Sequence, residues 1–294
     1  MYSIYSVKSS SDWQLPQKSC LINYSVLKET VAAAPFRSFS IKYVCHGQES
    51  YQVNGNRFLI KAGEYLLANH HAYGTVEIEQ EVRGICIDVS PDLLSEAAAS
   101  FLRADTPMAD QGLDNFFNSP SFLESKYHCA QTQVGAYLKQ LDMTLQQDLL
   151  KGFKLNREFY LSLAEKIVAD HIPVFKKLQQ LSDVKSDTRK AIVRKIILAM
   201  QYIESEAFNS SLTIADIAAH CGMSEFHFYR MFKKINHLSP YQYVMQCKLN
   251  HARTLMQQQN TTVTETAYLC GFSDIFTFSR AYKKYFGCSP SMHN

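Results

Sequence analysis

Ser224-Glu225-Phe226-His227-Phe228-Tyr229-Arg230-Met231-Phe232-Lys233-Lys234 recurs, 50 residues further on, as Asp274-Ile275-Phe276-Thr277-Phe278-Ser279-Arg280-Ala281-Tyr282-Lys283-Lys284. Phe226 falls on Phe276, Phe228 on Phe278, Arg230 on Arg280, and both lysine pairs coincide; the register runs on to Ser239-Pro240 over Ser289-Pro290. Upstream the offset drops to 49, with Thr213/Thr262, Ala218/Ala267, Cys221/Cys270 and Gly222/Gly271 in step, so the second copy carries one extra residue in its turn. Each copy reads as a short helix (Ile214 to His220; Val263 to Leu269), a glycine corner and a second helix. Glycine ends a helix through a left-handed conformation that other residues reach at a cost. Ser224 and Asp274 stand at the N-cap of the second helix, and Ala218 and Ala267 are small enough for the paired helices to cross closely.

Helical spacing gives the second helix of each copy two faces. Phe228, Met231, Phe232 and Ile235, and likewise Phe278, Tyr282 and Tyr285, are expected to pack inward. Phe226, Tyr229, Arg230 and Lys233 make the opposite stripe, matched by Phe276, Ser279, Arg280 and Lys283. An arginine one turn into such a helix can reach guanine or a phosphate, and lysines neutralise phosphates. Between the copies, Ser239-Pro240 opens a helix over 240–258, a rod of about 27 Å at ~1.5 Å per residue. That length suits two recognition helices set about one DNA turn, ~34 Å, apart.

Charge follows the repeat. The chain is +3 overall, yet from Arg189 onward 12 Lys and Arg face 6 Asp and Glu, and the remaining residues hold 18 against 21. A basic module joined to a slightly acidic one fits a nucleic-acid binder with a partner domain. The cysteines at 20, 45, 86, 129, 221, 247, 270 and 288 form no C-x-x-C pair, so reduced thiols are expected rather than zinc or a disulfide framework. The N-terminus lacks an apolar signal core and no stretch approaches the length of a membrane span, so a cytoplasmic, nucleoid-associated protein is expected, with no membrane contact.

Ahead of the repeat, residues 20–90 read as strands. Asn54-Gly55-Asn56 separates Tyr51-Gln52-Val53 from Arg57-Phe58-Leu59-Ile60, a hairpin signal. Ser38 to Val44, Tyr65 to Ala68 and Gly84 to Val89 add further strands, which suggests a small sandwich or barrel. After Ser90-Pro91 the pattern turns helical over 91–180, with long amphipathic stretches near 127–151 and 156–181. In the latter, Phe159, Leu163, Ile167 and His171 recur every four residues, a stripe suited either to a homodimer seam or to packing on its own β-domain. Phe39, Ile41, Tyr43, Tyr65, Leu67 and His70 are the candidates for lining a small-molecule effector pocket, or they simply fill the core. His46, Glu49, His70 and His71 lack the spacing of a metal site, so no metal or cofactor is expected. No nucleophile motif, phosphate loop or supported carboxylate pair points to an enzyme.

The C-terminal region resembles the DNA-binding domain of the AraC/XylS family of bacterial transcription regulators. The resemblance rests on Leu212-Thr213-Ile214-Ala215-Asp216-Ile217-Ala218, Ser224 through Lys234, Leu238-Ser239-Pro240, Lys248, Ala252, Leu255-Met256, Gly271-Phe272-Ser273-Asp274, Phe278-Ser279-Arg280 and Tyr282 through Pro290. Lys248 departs from the usual arginine, His237 from a common glycine, and the end at Asn294 leaves room for only a brief final helix. The resemblance implies two recognition helices in adjacent major grooves of double-stranded DNA. The base-facing candidates are then Phe226, Tyr229, Arg230, Ile275, Phe276, Ser279 and Arg280, with Lys233, Lys234, Lys283 and Lys284 on the backbone. Ile275 and Phe276 are apolar where polar readers are expected, so the first copy should carry more of the sequence specificity. The family also implies a cupin-like effector domain, helices that dimerise, and contact with RNA polymerase as an activator.

The expected architecture is α+β. An N-terminal cupin-like β-sandwich or barrel with following helices (1–180) joins, through a linker (181–188), an all-α domain (189–294). That domain holds two helix-turn-helix modules (about 212–236 and 262–287) and their linker helix. Control by a small-molecule effector is the leading reading. Control by a partner protein, or a cupin enzyme fused to the DNA module, are the alternatives.

Overall fold

Alternating burial along the N-terminal strands gives two sheets that share an apolar interior. The computed structural model describes residues 3–7, 20–34, 36, 38–101, 112–146, 155–258 and 261–292. It divides into two units, Met1–Lys176 and Lys177–Asn294. In the first, the strands are β1 (Ser3–Val7), β2 (Leu21–Leu27), β3 (Thr30–Ala33), β4 (Phe39–His46), β5 (Gln48–Val53), β6 (Asn56–Lys61), β7 (Glu64–Ala68), β8 (Gly74–Ile78), β9 (Val82–Val89) and β10 (Ser125–His128). One sheet runs β1-β2-β9-β4-β7-β10 and the other β3-β8-β5-β6. The β1–β2 pair is parallel and the remaining pairs are antiparallel. Val44, Leu66, Ala68 and Val82 of the first sheet and Tyr51, Val53, Phe58, Ile60, Val76 and Ile78 of the second form one buried cluster. The β5–β6 turn puts Asn54 at φ 48° and Gly55 at φ 78°, the paired positive values of a tight hairpin whose twist matches its strands.

The outer face of the six-stranded sheet is covered by helical segments. Here lie α1 (Pro91–Phe101), α2 (Leu113–Phe116), α3 (Gln133–Gln146) and α4 (Arg157–Gln179). Phe39 meets Phe117 and Phe122 edge-on, with centroids 5.9 and 5.0 Å apart, and Phe116 packs on Phe175 at 5.2 Å. The 91–180 region is not wholly helical. Ser125–His128 pairs antiparallel with β7, Tyr127 opposite Tyr65, and the helix expected from 127 begins at Gln133. Four residues whose only ladder partner lies some sixty positions earlier leave no local signature. The Phe159, Leu163, Ile167 and His171 stripe is buried in the unit's own core, which removes it as a homodimer seam. His171 touches Tyr127, Phe117 and Phe122.

The second unit contains α5 (Ser186–Glu206), α6 (Ile214–His220), α7 (Glu225–Asn236), α8 (Pro240–Gln258), α9 (Val263–Leu269) and α10 (Ile275–Phe286), and ends in a short 3-10 turn, Pro290–Met292. The segment read as a linker, 181–188, holds the turns after α4 and the first residues of α5. The repeat proves wider than two helix-turn-helix modules. Ile196, Ala199 and Ile203 of α5 are buried, as are Leu249, Ala252 and Met256 of α8, at an offset of 53. The fall from 53 to 49 means that the first copy's connection into its helix-turn-helix is four residues longer. The unit is therefore α5-α6-α7 followed by α8-α9-α10, with the linker helix opening the second copy.

Candidate nucleic-acid interface

The first helix of each module starts with the same device. Thr213 Oγ1 accepts from Asp216 N–H at 3.1 Å while Asp216 Oδ2 accepts from Thr213 N–H at 3.0 Å. Thr262 and Glu265 do the same at 3.2 and 2.9 Å. These reciprocal bonds satisfy two otherwise unpaired N–H groups. The threonine side chains, and then the backbone N–H groups, hold both carboxyls below the usual range. Thr-x-x-Asp and Thr-x-x-Glu ahead of an apolar run are the signal that reading the repeat by register alone passes over.

At the corner, Gly222 has φ 62° and Gly271 φ 70°. Met223 N–H reaches back to Ala218 O and Gly222 N–H to Ala219 O; Phe272 to Ala267 and Gly271 to Tyr268 repeat the pattern. This is the double closure that consumes a helix's last carbonyls. The glycine carbonyls are then taken by lysines from the helix that opens each module. Lys195 Nζ donates to Gly222 O at 2.5 Å and Lys248 Nζ to Gly271 O at 2.9 Å. Lys248 also lies 5.5 Å from the Phe272 ring, and burial draws its pKa down. The lysine standing for the family's usual arginine thus makes a single-point bond to the turn. Neither lysine stood among the candidate residues, because bonds from a neighbouring helix do not show in local spacing.

So braced, the second helices present their outer stripes. Phe228, Met231, Phe232 and Ile235 are buried, as are Phe278 and Tyr282. Tyr285, expected inward, is 43% exposed, and Phe286 packs against the core instead. Helical rotation places position 286, four after Tyr282, nearer the buried stripe than position 285. Ser224 occupies the N-cap of α7 without a side-chain capping bond, a correction to the expectation. Asp274 caps α10, accepting from Thr277 N–H at 2.8 Å, and that backbone bond leads the causes holding its carboxyl low. His237 closes α7 in the left-handed region at φ 58°, where the second copy has Gly287 at φ 80°.

On the outer side of α7, Phe226 is 78% exposed, and Tyr229, Arg230, Lys233 and Lys234 are exposed beside it. These five line one shallow surface depression. The Arg230 guanidinium sits 5.9 Å from the Phe226 ring centroid, within cation–π range. Lys234 Nζ is 3.3 Å from Asp183 Oδ1, an exposed ion pair of little stabilising weight. On α10, Phe276 is 74% exposed, with Arg280, Lys283 and Lys284 exposed and Ile275 and Ser279 half-buried.

Residues 207–293 match a family model described as a helix-turn-helix domain. These residues, within the C-terminal unit, are an AraC-type helix-turn-helix domain. The raffinose operon transcriptional regulatory protein RafR of Pediococcus pentosaceus is 32% identical over 96 residues, 33% of this chain and 34% of its own. The Msm operon regulatory protein of Streptococcus mutans is 26% identical over 210 residues, 68% of this chain and 72% of its own. A solved AraC-type transcriptional regulator structure from Chromobacterium violaceum is 30% identical, covering 34% of this chain and 88% of that one, with a TM-score of 0.32.

In the N-terminal unit the effector candidates part company. The register sets Ile41 opposite Leu67 and Tyr43 opposite Tyr65, so with Phe39 five of them share the sheet face under the helices, all buried. His70 is exposed in the turn after β7, its ring 4.1 Å from that of His71. His46 ends β4 exposed, whereas Glu49 is buried and accepts from Tyr51 Oη at 2.7 Å. Among the described residues no three His, Cys, Asp or Glu side chains gather as a metal site. No described helix is long and apolar enough to cross a membrane.

Proposed function

We propose that this protein is a sequence-specific regulator of transcription that holds double-stranded DNA at two points. The α7 and α10 helices enter adjacent major grooves. The observation that carries the reading is the pair of braced helices, each offering an exposed arginine one turn in and lysines behind it. In this scheme Arg230 and Arg280 contact base edges or phosphates, Tyr229 and Ser279 add polar contacts, and Phe226 and Phe276 meet thymine methyl groups. Ile275 supports the second helix from its half-buried position. Lys233, Lys234, Lys283 and Lys284 neutralise phosphates and give the salt dependence. The operon regulators among its relatives support transcription as the process. The N-terminal unit receives a small-molecule effector, which shifts an existing equilibrium toward the promoter-engaging arrangement, from which RNA polymerase is recruited.

The test begins with an operator selected from random duplexes by the purified protein. Arg230→Ala and Arg280→Ala should each weaken it by about 1–3 kcal/mol if the arginine reads a base. Lys233→Ala and Lys283→Ala should weaken all sequences alike and lower the salt slope by about one. Unchanged affinity in both arginine variants, with circular dichroism intact, overturns the two-point reading.

A further inference from the structure

Inside the sandwich, between the two sheets, the inner face of the larger one carries polar groups among its apolar ones. The register sets Lys42 of β4 directly opposite Cys86 of β9. Lys42 is 5% exposed, and its Nζ lies 2.8 Å from Cys86 Sγ. That is the separation of a good N–H···O bond, and sulfur, with its larger radius, ordinarily keeps a donor nitrogen farther off. Asp88, next on this face of β9, accepts from Ser40 Oγ at 2.5 Å. Asp88 and Glu49, the latter buried on β5 beside Tyr51, both act on the charge of Lys42. Cys86 keeps part of its surface open, unlike the buried Cys20, Cys129, Cys221 and Cys270.

We propose that Lys42 and Cys86 are an oxidative modification site, joined under peroxide by a covalent Nζ–O–Sγ bridge that ties β4 to β9. Two single bonds through one oxygen span a gap of this size without moving either strand. The chemistry balances with two molecules of hydrogen peroxide. The first converts the thiol to a sulfenic acid: the O–O bond breaks, an S–O bond forms and water leaves. The second converts the neutral amine to a hydroxylamine, again releasing water. The hydroxylamine oxygen then attacks the sulfenic sulfur, and the sulfenic hydroxyl departs as a third water. Nitrogen and sulfur are both oxidised, and both peroxides are reduced. The ammonium proton lost at the outset passes to hydroxide of the alkaline buffer, because Asp88 and Glu49 beside Lys42 favour its charged form. Thiol reagents cleave the link by attacking sulfur: the S–O bond breaks, the hydroxylamine leaves on Lys42, and a second thiol frees Cys86 as the thiol.

Peptide mapping of the full-length protein tests this. After peroxide in mildly alkaline buffer, the β4 peptide with Lys42 and the β9 peptide with Cys86 should travel as one species. Its mass should be their sum plus one oxygen and minus two hydrogens, and dithiothreitol should split it into the Cys86 peptide as free thiol and the Lys42 peptide one oxygen heavier, as the hydroxylamine. Cys86→Ser and Lys42→Arg should each abolish the species. Recovery of Cys86 only as thiol, sulfenic or sulfinic acid in the wild-type chain overturns the proposal. So does a species lacking the extra oxygen, which would be a direct N–S bond. The readout is independent of DNA binding, so it does not share the fate of the regulatory reading.

Discussion

Gly222 and Gly271 occupy equivalent corners with nearly equal dihedral angles, yet replacing them with alanine should have unequal consequences. In both, an added Cβ meets the left-handed penalty of about 1–2 kcal/mol. At Gly222 that is nearly all, because the nearest atom to the new Cβ is Lys195 Nζ at 3.7 Å, an ordinary van der Waals contact. At Gly271 the Cβ lands 2.4 Å from the Phe208 carbonyl oxygen and 3.1 Å from Lys248 Nζ. A backbone oxygen cannot swing aside as a side chain does, so overpacking adds about 1–3 kcal/mol. Gly222→Ala should therefore cost about 1–2 kcal/mol and Gly271→Ala about 2–5 kcal/mol. Urea unfolding of the full-length chain, followed by helical circular dichroism, measures both. Hydrogen exchange of the α8–α10 amides then assigns the loss to the second module. Equal destabilisation within about 0.5 kcal/mol, or the larger loss at Gly222, would refute the argument.

His237→Gly should raise stability by up to about 1 kcal/mol, since it removes a Cβ from a left-handed residue, and an unmoved urea midpoint counts against it. His171 gives the N-terminal unit a pH dependence. Burial holds its pKa below the ordinary value, so the unfolded chain takes the proton more readily. Stability is full above the unfolded value of about 6.5 and falls as pH drops from there toward the folded value, by at most about 1.4 kcal/mol per pH unit. Urea midpoints across that window should flatten in His171→Gln, and the same slope in both proteins would assign it to other groups.

Much of the DNA-binding half was legible in the residues because its information is local. The glycine corners, the buried Phe228 and Phe278, and the exposed arginines all follow from helical spacing and turn chemistry. What stayed hidden depends on partners distant in the chain. Lys195 and Lys248 look like surface charges until the turn carbonyls arrive beside them, and α8 looks like a spacer until its buried residues are laid over those of α5. The N-terminal half shows the same limit more strongly. The Asn54-Gly55 hairpin was readable, whereas β10 exists only because β7 offers an edge. Periodicity grouped Phe39, Ile41, Tyr43, Tyr65 and Leu67 on one strand face. It could not tell whether that face looks between the sheets or under the helices, since both are apolar.

The double duty of α8 has a consequence for how such a protein meets promoters that differ in layout. A free spacer could be lengthened to suit more widely separated half-sites. Here one inserted residue would turn everything beyond it by about 100°. An insertion before Lys248 would also take that lysine off the Gly271 carbonyl or shift the whole second core. The span between the two grips is thus fixed by the same contacts that keep the second module folded. Under the proposed mode of binding, variation in half-site separation has to be absorbed by the duplex, through twist and bend. The steps between the half-sites, which no side chain touches, would then be selected for their pliability.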